Sequence, residues 1–315
     1  MNWVYRVGMG IRLKAMLIII LTNLLIIIFS VSVGSAFTGR NIDFSLETDL
    51  EVMAKIADRY ISSELENLRL KADATALLLA ENSEPQWREI LARQNNLYHD
   101  FLGLAIISEE SGLISASGKY PAPAEIAADK NISKAFSGGK PFSSTIPSPG
   151  GVVFYAAVPI PSAGSRILIV TIPGMYFSDL LSRLVIWKTG YIFISDSEGY
   201  VIANIREQWV QERNNFIHLA KQNGEYTNLA KIITRMTKGE TGIGYYAIDE
   251  VPRTCAFTSV SGSKEGWSLG VVVPLPENPA RNTDRGFLVV ALAAIFLSIL
   301  AAIVASNFIG FKGKP

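Results

Sequence analysis

The chain contains one strand–turn–strand pattern twice. Residues 190–204 read GYIFISDSEGYVIAN and residues 103–117 read GLAIISEESGLISAS, so a glycine, a serine, an acid and a second glycine recur 87 residues apart. In each copy, two apolar runs of strand length flank a polar turn that ends in glycine, which is typical of a β-hairpin. A chain of 315 residues is long enough for two domains. The repeated pattern therefore predicts two similar modules, each beginning with a hairpin.

Further strand patterns follow each hairpin. These apolar runs lie at residues 151–160 and 166–173 in the first module and at residues 241–248, 253–260 and 267–274 in the second. Pro173 and Pro274 end the last run of each module in the same way, because proline lacks the N–H group that a continuing ladder needs. Helical stretches separate each hairpin from the later strands. The predicted fold class is α+β, with two tandem modules built on antiparallel sheets.

The acids in the two predicted turns, Glu109, Glu110, Asp196 and Glu198, raise the question of paired catalytic carboxylates. Acids and serine favour turns because their side chains bond nearby backbone groups, so we interpret these acids as solvated turn residues. The sequence has no His-Glu-x-x-His, Cys-x-x-Cys, phosphate-loop or Gly-x-Ser-x-Gly motif. The two histidines fall in different modules. We therefore expect no catalytic residues, no metal site and no cofactor in this segment.

Two long uncharged segments flank the modules. Residues 15–37 are 23 consecutive residues without a charge, and residues 286–311 are 26. A helix of about 20 residues crosses the hydrocarbon core of a bilayer. The first segment resembles a cleaved signal peptide in the basic residues before it, but its apolar stretch exceeds the roughly 7 to 15 residues of a signal core. We therefore predict two transmembrane helices.

The distribution of charge predicts the orientation in the membrane. The two ends of the chain carry Arg6, Arg12, Lys14, Lys312 and Lys314 and no acid, whereas residues 38–285 carry 24 basic and 28 acidic residues. Basic residues next to a membrane segment stay on the cytoplasmic side. We predict a multi-pass protein of the bacterial cytoplasmic membrane, with residues 38–285 outside the cytoplasm. A region with a net charge of −4 is not expected to bind nucleic acid.

Residues 40–80 show apolar side chains at steps of three and four, without proline or glycine, which predicts one long amphipathic helix. Such a helix would measure about 60 Å, more than a small domain needs to cover its core. We interpret its first half as a stalk that packs against a second copy, which predicts a homodimer. The alternative, that the helix only covers its own domain, remains open for its second half.

These patterns divide the chain into successive segments. We predict a cytoplasmic N-terminus at 1–14, a transmembrane helix at 15–37, a long stalk helix at 38–80, a membrane-distal module with a linking helix at 81–187, a membrane-proximal module at 188–280, a second transmembrane helix at 286–311 and the start of a cytoplasmic connector at 312–315.

The stretches TGYIFISDSEGYVIAN and GETGIGYYAIDEVPRTCAFTSVSGSKEGWSLGVVVP, with the looser match of the first module, resemble the double Cache sensor, a tandem of two PAS-like modules in bacterial receptors. The resemblance covers roughly residues 40–280. It implies a small-molecule ligand in the distal module. In the amino-acid-binding branch, that module is expected to carry an Arg-x-Trp-Tyr cluster and a later aspartate, for which this chain has SGKYPAPAEIAADK and LIVTIPGMYF. Without the arginine, tryptophan and aspartate, we expect a ligand other than a standard amino acid.

The resemblance also implies where the ligand lies. The residues left near the expected pocket are Ser117, Lys119, Tyr120, Tyr155 and Thr171. Lys119 would receive a small anion, and Tyr120 and Tyr155 would flank an apolar ligand with a polar edge. Lys119 as a solvated loop charge, and the tyrosines as ordinary half-buried residues, are the alternatives.

The type of receptor follows from the resemblance alone. It implies the sensor portion of a two-component histidine kinase, whose catalytic output would lie outside these residues. The alternatives are a methyl-accepting chemotaxis receptor, a cyclic-dinucleotide enzyme, or a non-sensory interaction module of the cell envelope.

Overall fold

The computed structural model describes the backbone of residues 2–184, 186–278, 292–297 and 299–300, and the side chains of these residues other than 2–20, 31, 33–44 and 123. The chain divides into two units, Glu47–Glu277 and a second made of Met1–Leu46 with Asn278–Pro315.

The first antiparallel sheet has the strand order β2-β1-β5-β4-β3. Its strands are β1 Gly103–Ser108, β2 Gly112–Gly118, β3 Ile146–Ser148, β4 Gly151–Pro159 and β5 Arg166–Pro173. Helices α3 (Pro123–Ala127) and α4 (Ile132–Phe136) lie between β2 and β3 in the chain. The predicted hairpin is confirmed: β1 pairs with β2, and Gly112 turns between them with a φ of +73°, which favours glycine. We call this sheet and its helices the first module.

The second antiparallel sheet repeats the first, with the order β7-β6-β10-β9-β8. Its strands are β6 Tyr191–Ser195, β7 Val201–Ala203, β8 Gly242–Ile248, β9 Val251–Ser259 and β10 Ser268–Pro274. Three helices lie between β7 and β8: α6 Glu207–Gln211, α7 Phe216–Leu219 and α8 Thr227–Met236. The hairpin turns at Gly199, whose φ is +88°. The predicted α+β fold with two antiparallel sheets is therefore confirmed, and we call this part the second module.

The long helix α1 runs from Asn2 to Ala80, followed by a 3-10 turn at Glu84–Gln86 and helix α2, Trp87–Leu97. Along α1, one face is buried at steps of three and four, at Leu50, Ala54, Ala57, Ile61, Leu65, Leu68, Ala72, Ala76 and Leu79. The helix thus covers the core of its own unit from Leu50 onward, including about half of the part that the sequence assigned to a stalk. The predicted homodimer is not tested by this burial.

The loop after β9 fastens the second module to α1. The backbone N–H of Ser261 donates to Asp58 Oδ1 at 2.7 Å, and that of Gly262 donates to Ser62 Oγ at 2.7 Å. A Cβ atom at Gly262 would lie 2.7 Å from the Cα of Ser62. Only glycine therefore permits this approach of backbone to helix.

Four aromatic rings join the two modules. Phe142 and Phe154 come from the first module, Phe177 from the linking helix α5 (Tyr176–Ser182), and Trp267 from the position directly before β10. The Trp267 ring centroid lies 5.8–6.1 Å from those of the three phenylalanines, at tilted or edge-on angles. Trp267 is 1% exposed. Buried aromatic contacts of this kind contribute beyond their buried area, so the modules share one core at this point.

The predicted transmembrane segments are not shown. Residues 15–37 lie within α1, but many of their side chains fall outside the described part, and most of residues 286–311 fall outside it altogether. Within the residues that the structure describes, no helix combines the length and apolar character needed to cross a bilayer.

Candidate functional site

A cavity of about 230 Å³ opens at one end of the first sheet. Its lining includes Lys119, Tyr120, Ser148 and Thr171, together with Gln211 from the second module. Three of the five sequence-predicted site residues therefore meet here. We call it the Thr171 cavity.

Two glycines bring Lys119 and Tyr120 to this cavity. Gly118 ends β2 with a φ of +77°, which turns the chain across the sheet. The N–H of Lys119 donates to the carbonyl of Leu102 at 2.8 Å. A Cβ atom at Gly103 would lie 2.1 Å from the carbonyl oxygen of Lys119. The chain can thus cross β1 only because residue 103 has no side chain.

Thr171 and Tyr155 are directly paired on β5 and β4 and share one face of the sheet. Tyr155 is fully buried, its hydroxyl donates to Asp129 Oδ2 at 2.7 Å, and burial raises the pKa of that hydroxyl strongly. Thr171 is also fully buried, but its Oγ1 has no hydrogen-bond partner among the described residues. A buried hydroxyl without a partner costs about 1–3 kcal/mol. A ligand that bonds to Thr171 would remove that cost.

The Thr171 cavity carries a cation and neutral polar groups. The side chain of Lys119 is exposed and makes no ion pair within the described part of the chain, and the lining contains no carboxylate. Gln211 Oε1 accepts from the N–H of Val152 at 3.3 Å, which anchors this second-module side chain at the edge of the cavity. The cavity is therefore suited to a small ligand with an anionic group. Sequence reasoning gave no signal for Gln211, which comes from the other module.

Two predicted site residues do not line the cavity: Tyr155, which neighbours Thr171 on the next strand, and Ser117, which lies on the other face of the sheet. Ser117 pairs with Leu104 on β1, which in turn pairs with Val170 on β5. Thr171 pairs instead with Gly103, one position along. Because neighbouring positions on a strand point to opposite faces, Ser117 lies on the face opposite Thr171 and Tyr155. It does not line the Thr171 cavity.

The matching face of the second module is filled. In the first module, Thr171 lies two positions before Pro173 and pairs with Tyr155 and Gly103. In the second module, Val272 lies two positions before Pro274 and pairs with Cys255 and Tyr191, which therefore hold the equivalent positions. A void of only about 10 Å³ remains there, lined by residues that include Tyr191, Trp209, Phe216 and Tyr246. The hydroxyls of Tyr191 and Tyr246 bond to each other at 2.9 Å, and burial raises both pKa values. This face has no room for a ligand.

One predicted turn acid is not solvated. Glu109, Glu110 and Glu198 are exposed, as expected. Asp196 is 5% exposed: Oδ1 accepts from the N–H groups of Glu198 and Tyr200, and Oδ2 accepts from Ser144 Oγ at 2.6 Å. The prediction was wrong for this residue, because a serine from the first module donates the hydrogen bond that water would otherwise supply to Oδ2. Among the residues described here, no group of three or more His, Cys, Asp or Glu side chains is placed to hold a metal ion.

The family model of the Cache domain (dCache_1) matches residues 37–280. The chain belongs to the Cache domain family. The sequence-based resemblance is therefore confirmed, and so is the interpretation of this chain as a sensory ligand-binding region. Cache domains are extracytoplasmic, non-catalytic ligand-binding modules of membrane receptors. Comparison with curated protein sequences gives no significant match.

Solved Cache structures share this fold. The extracellular domain of mmHK1S-Z2, described as a histidine kinase, has a TM-score of 0.57 at 17% identity, with 72% of this chain and 97% of that chain covered. The ligand-binding domain of the Pseudomonas fluorescens chemoreceptor CtaA, with L-isoleucine, gives 0.60 at 17%, covering 77% and 98%. That of PctB from Pseudomonas aeruginosa PAO1, with L-Arg, gives 0.57 at 20%, covering 75% and 97%.

These complexes correct the ligand prediction. The sequence led us to expect a ligand other than a standard amino acid, because three expected side chains are missing. CtaA also binds L-leucine, and PctB also binds L-Gln, on the same fold. The expectation is therefore contradicted.

Proposed function

We propose that this Cache region senses a small carboxylate-bearing metabolite, amino acids included, in the Thr171 cavity. The observation that carries the proposal is the fully buried Thr171 hydroxyl, which has no partner among the described residues and lies beside an open cavity. The second module has an apolar valine at the same register position and no comparable space. Only the first module is therefore built to receive a ligand on this face.

Each polar group of the cavity has a role in this proposal. The Lys119 ammonium attracts the ligand's carboxylate, and Thr171 and Tyr120 bond to it through their hydroxyls. An amino group on the ligand would be accepted by neutral oxygens, because no acid lines the cavity. Gln211, which belongs to the second module and accepts a hydrogen bond from Val152, transmits the effect of ligand binding to that module. Tyr155 is held by Asp129 and supports Thr171 from the neighbouring strand.

Thermal melting of the 315-residue chain tests this proposal. A panel of amino acids and the matching carboxylic acids without the amino group is added, and a ligand at 100 times its Kd stabilises the chain by about 2.7 kcal/mol. Thr171→Val should reduce this stabilisation to about half. Val170→Thr, on the opposite face of the same strand, is the matched control and should leave the response to ligand unchanged. If no compound shifts the parent chain, or if Thr171→Val responds like the parent, the proposal fails.

We further propose that the chain is a multi-pass membrane protein that signals as a homodimer, with residues 15–37 and 286–311 as its transmembrane helices. The charge bias at both ends supports the orientation. A row of exposed apolar side chains on α1, formed by Val52, Ile56, Tyr60, Leu70 and Leu77, supports the dimer, because such a row favours helix pairing. The output is that of a histidine kinase, with a chemotaxis receptor as the alternative, since solved structures of both types share the fold.

Cysteine crosslinking tests the dimer. Ile56→Cys introduces a thiol in the exposed row, while Cys255 is buried and should stay silent. Oxidation in membranes should give a disulfide-linked dimer for Ile56→Cys and none for Lys55→Cys, its exposed neighbour outside the row. Equal crosslinking of both variants, or of neither, would contradict pairing through this face.

A further inference from the structure

A second cavity, of about 400 Å³, lies where the two modules meet. The first module contributes the α3–α4 segment and the chain leading into β3. The second contributes the β6–β7 turn, Arg213, Glu265 and Trp267. It is distinct from the Thr171 cavity, with which it shares no lining residue. We call it the junction cavity.

The junction cavity carries an excess of negative charge. Its lining includes the five carboxylates of Glu125, Asp129, Asp196, Glu198 and Glu265, and only two cationic side chains. One of these, Lys130, forms an ion pair with Glu198. The other, Arg213, stacks its guanidinium 5.0 Å from the ring centroid of Tyr200. Among the described residues, Glu125, Asp129, Asp196 and Glu265 form no ion pair with a cationic side chain.

Glu265 is the carboxylate that most needs a partner. It is half-buried, burial raises its pKa, and it forms no ion pair among the described residues. A single serine hydroxyl, that of Ser263, donates to it from a side chain, at 3.2 Å. Backbone N–H groups of Phe142 and Glu265 and the charge of Arg69 offset part of the rise in its pKa. Asp196 and Asp129 accept hydrogen bonds on both oxygens. Ligand ammonium groups would compensate the desolvated charge of Glu265 best.

Independent observations also mark this cavity as a site. Thr145 lines it and is fully buried, yet its Oγ1 has no hydrogen-bond partner within the described part of the chain. Arg213 has a φ of +50°, a left-handed conformation that L residues rarely adopt, and its buried Nε atom is unpartnered as well. Unpaired buried polar groups and local backbone strain collect where a ligand binds.

We propose that the junction cavity binds a small organic amine, whose ammonium group pairs with Glu265 and bonds to Thr145. This site goes beyond the proposed function, because the Thr171 cavity takes a carboxylate in the first module alone. The amine is recognised by charge, and the Trp267 indole supplies an apolar wall for its carbon chain.

Isothermal titration of the 315-residue chain with 1,4-diaminobutane tests the proposal. The diamine should bind saturably, one per chain, whereas 1,4-butanediol, of similar length but without charge, should not. Glu265→Gln and Thr145→Val should each weaken binding tenfold or more. Glu110→Gln, in the exposed turn of the other hairpin, is the matched control and should bind like the parent.

Two further variants keep the test decisive. Glu125→Gln changes an exposed side chain and keeps the amide oxygen that can accept from the N–H of Ala122, so it should fold even if Glu265→Gln does not, and it should weaken the diamine severalfold. Thr171→Val should bind the diamine like the parent, which separates this site from the proposed carboxylate site. Absence of saturable binding, binding of 1,4-butanediol with equal affinity, or unchanged affinity in both Glu125→Gln and Thr145→Val would overturn the proposal.

Discussion

The two modules have the same backbone fold and differ in the side chains on one face of the sheet. Both sheets have the same strand order and the same pairing between their last three strands. On the ligand-facing side, the first has Gly103, Tyr155 and Thr171 where the second has Tyr191, Cys255 and Val272. The first leaves a cavity of about 230 Å³ and the second a void of about 10 Å³. The comparison teaches that binding capacity depends here on a few side chains rather than on topology.

The helices over each sheet extend this contrast. The first module has only α3 and α4, of five residues each, between β2 and β3. The second has α6, α7 and the ten-residue α8, which buries Leu229, Ile232, Ile233 and Met236 against its sheet. Burying one such apolar side chain contributes about 1.5–3 kcal/mol. The longer insertion of the second module therefore covers its sheet, whereas a cavity of about 230 Å³ remains in the first module, which has the shorter helices.

The largest effect is expected at the contact between the modules. Trp267→Ala removes the ring that packs on Phe142, Phe154 and Phe177 and should lower the free energy of unfolding by about 3–5 kcal/mol. Chemical denaturation followed by circular dichroism measures it. If the modules fold separately, the loss should be small and confined to one of two transitions, which would break the comparison.

Val272→Thr gives the second module the hydroxyl of the first. With no cavity and no ligand to bond it, the new group is buried and unpaired, so the free energy of unfolding should fall by about 1–3 kcal/mol. The same denaturation experiment measures it, and Val272→Ile serves as an apolar control. A neutral result would mean that the second module offers a partner that its packing does not show.

The reverse exchange, Thr171→Val, should act on binding more than on folding. Removal of the unpaired hydroxyl should leave the ligand-free chain equally or slightly more stable, while the affinity for the proposed carboxylate ligand should fall about tenfold, or roughly 1.4 kcal/mol. Melting without ligand and calorimetry with ligand separate the two effects. Marked destabilisation without ligand would show that Thr171 has a structural partner.

The smallest effect concerns Cys255, which takes the place of Tyr155. Burial raises the pKa of its thiol, so the thiolate fraction at mildly alkaline pH should be very low, and the sulfur is shielded as well. A thiol reagent should therefore not modify the native chain and should modify it once unfolded. Mass spectrometry after brief labelling measures this. Rapid native labelling would indicate that the second module opens on this face.

Most of the strands and hairpins could be predicted from local sequence patterns, whereas the candidate site could be predicted only in part. The hairpins and the strands ending at Pro173 and Pro274 follow from alternation and turn residues, which act over short distances. Ser117 was misplaced relative to Lys119 because the left-handed backbone of Gly118 ends the strand alternation between them.

Contacts between distant segments left no local pattern. The burial of Asp196 depends on Ser144, 52 residues earlier, and Gln211 reaches the Thr171 cavity from the other module. The hairpin repeat itself matches Gly103 with Gly190, whereas strand pairing matches Gly103 with Tyr191. A shift of one residue exchanges the faces of a strand, so the repeat alone could not assign the ligand-facing positions.

The hydrogen bond from Tyr155 to Asp129 spans the distance between the two cavities, since Tyr155 neighbours Thr171 and Asp129 lines the junction. A ligand in the Thr171 cavity that moves Tyr155 would also move the Asp129 carboxylate in the junction cavity, and the reverse holds for a ligand in the junction cavity. Thermodynamic reciprocity then requires each occupant to change the other's dissociation constant by the same factor. The receptor would in that way compare two metabolites instead of measuring one.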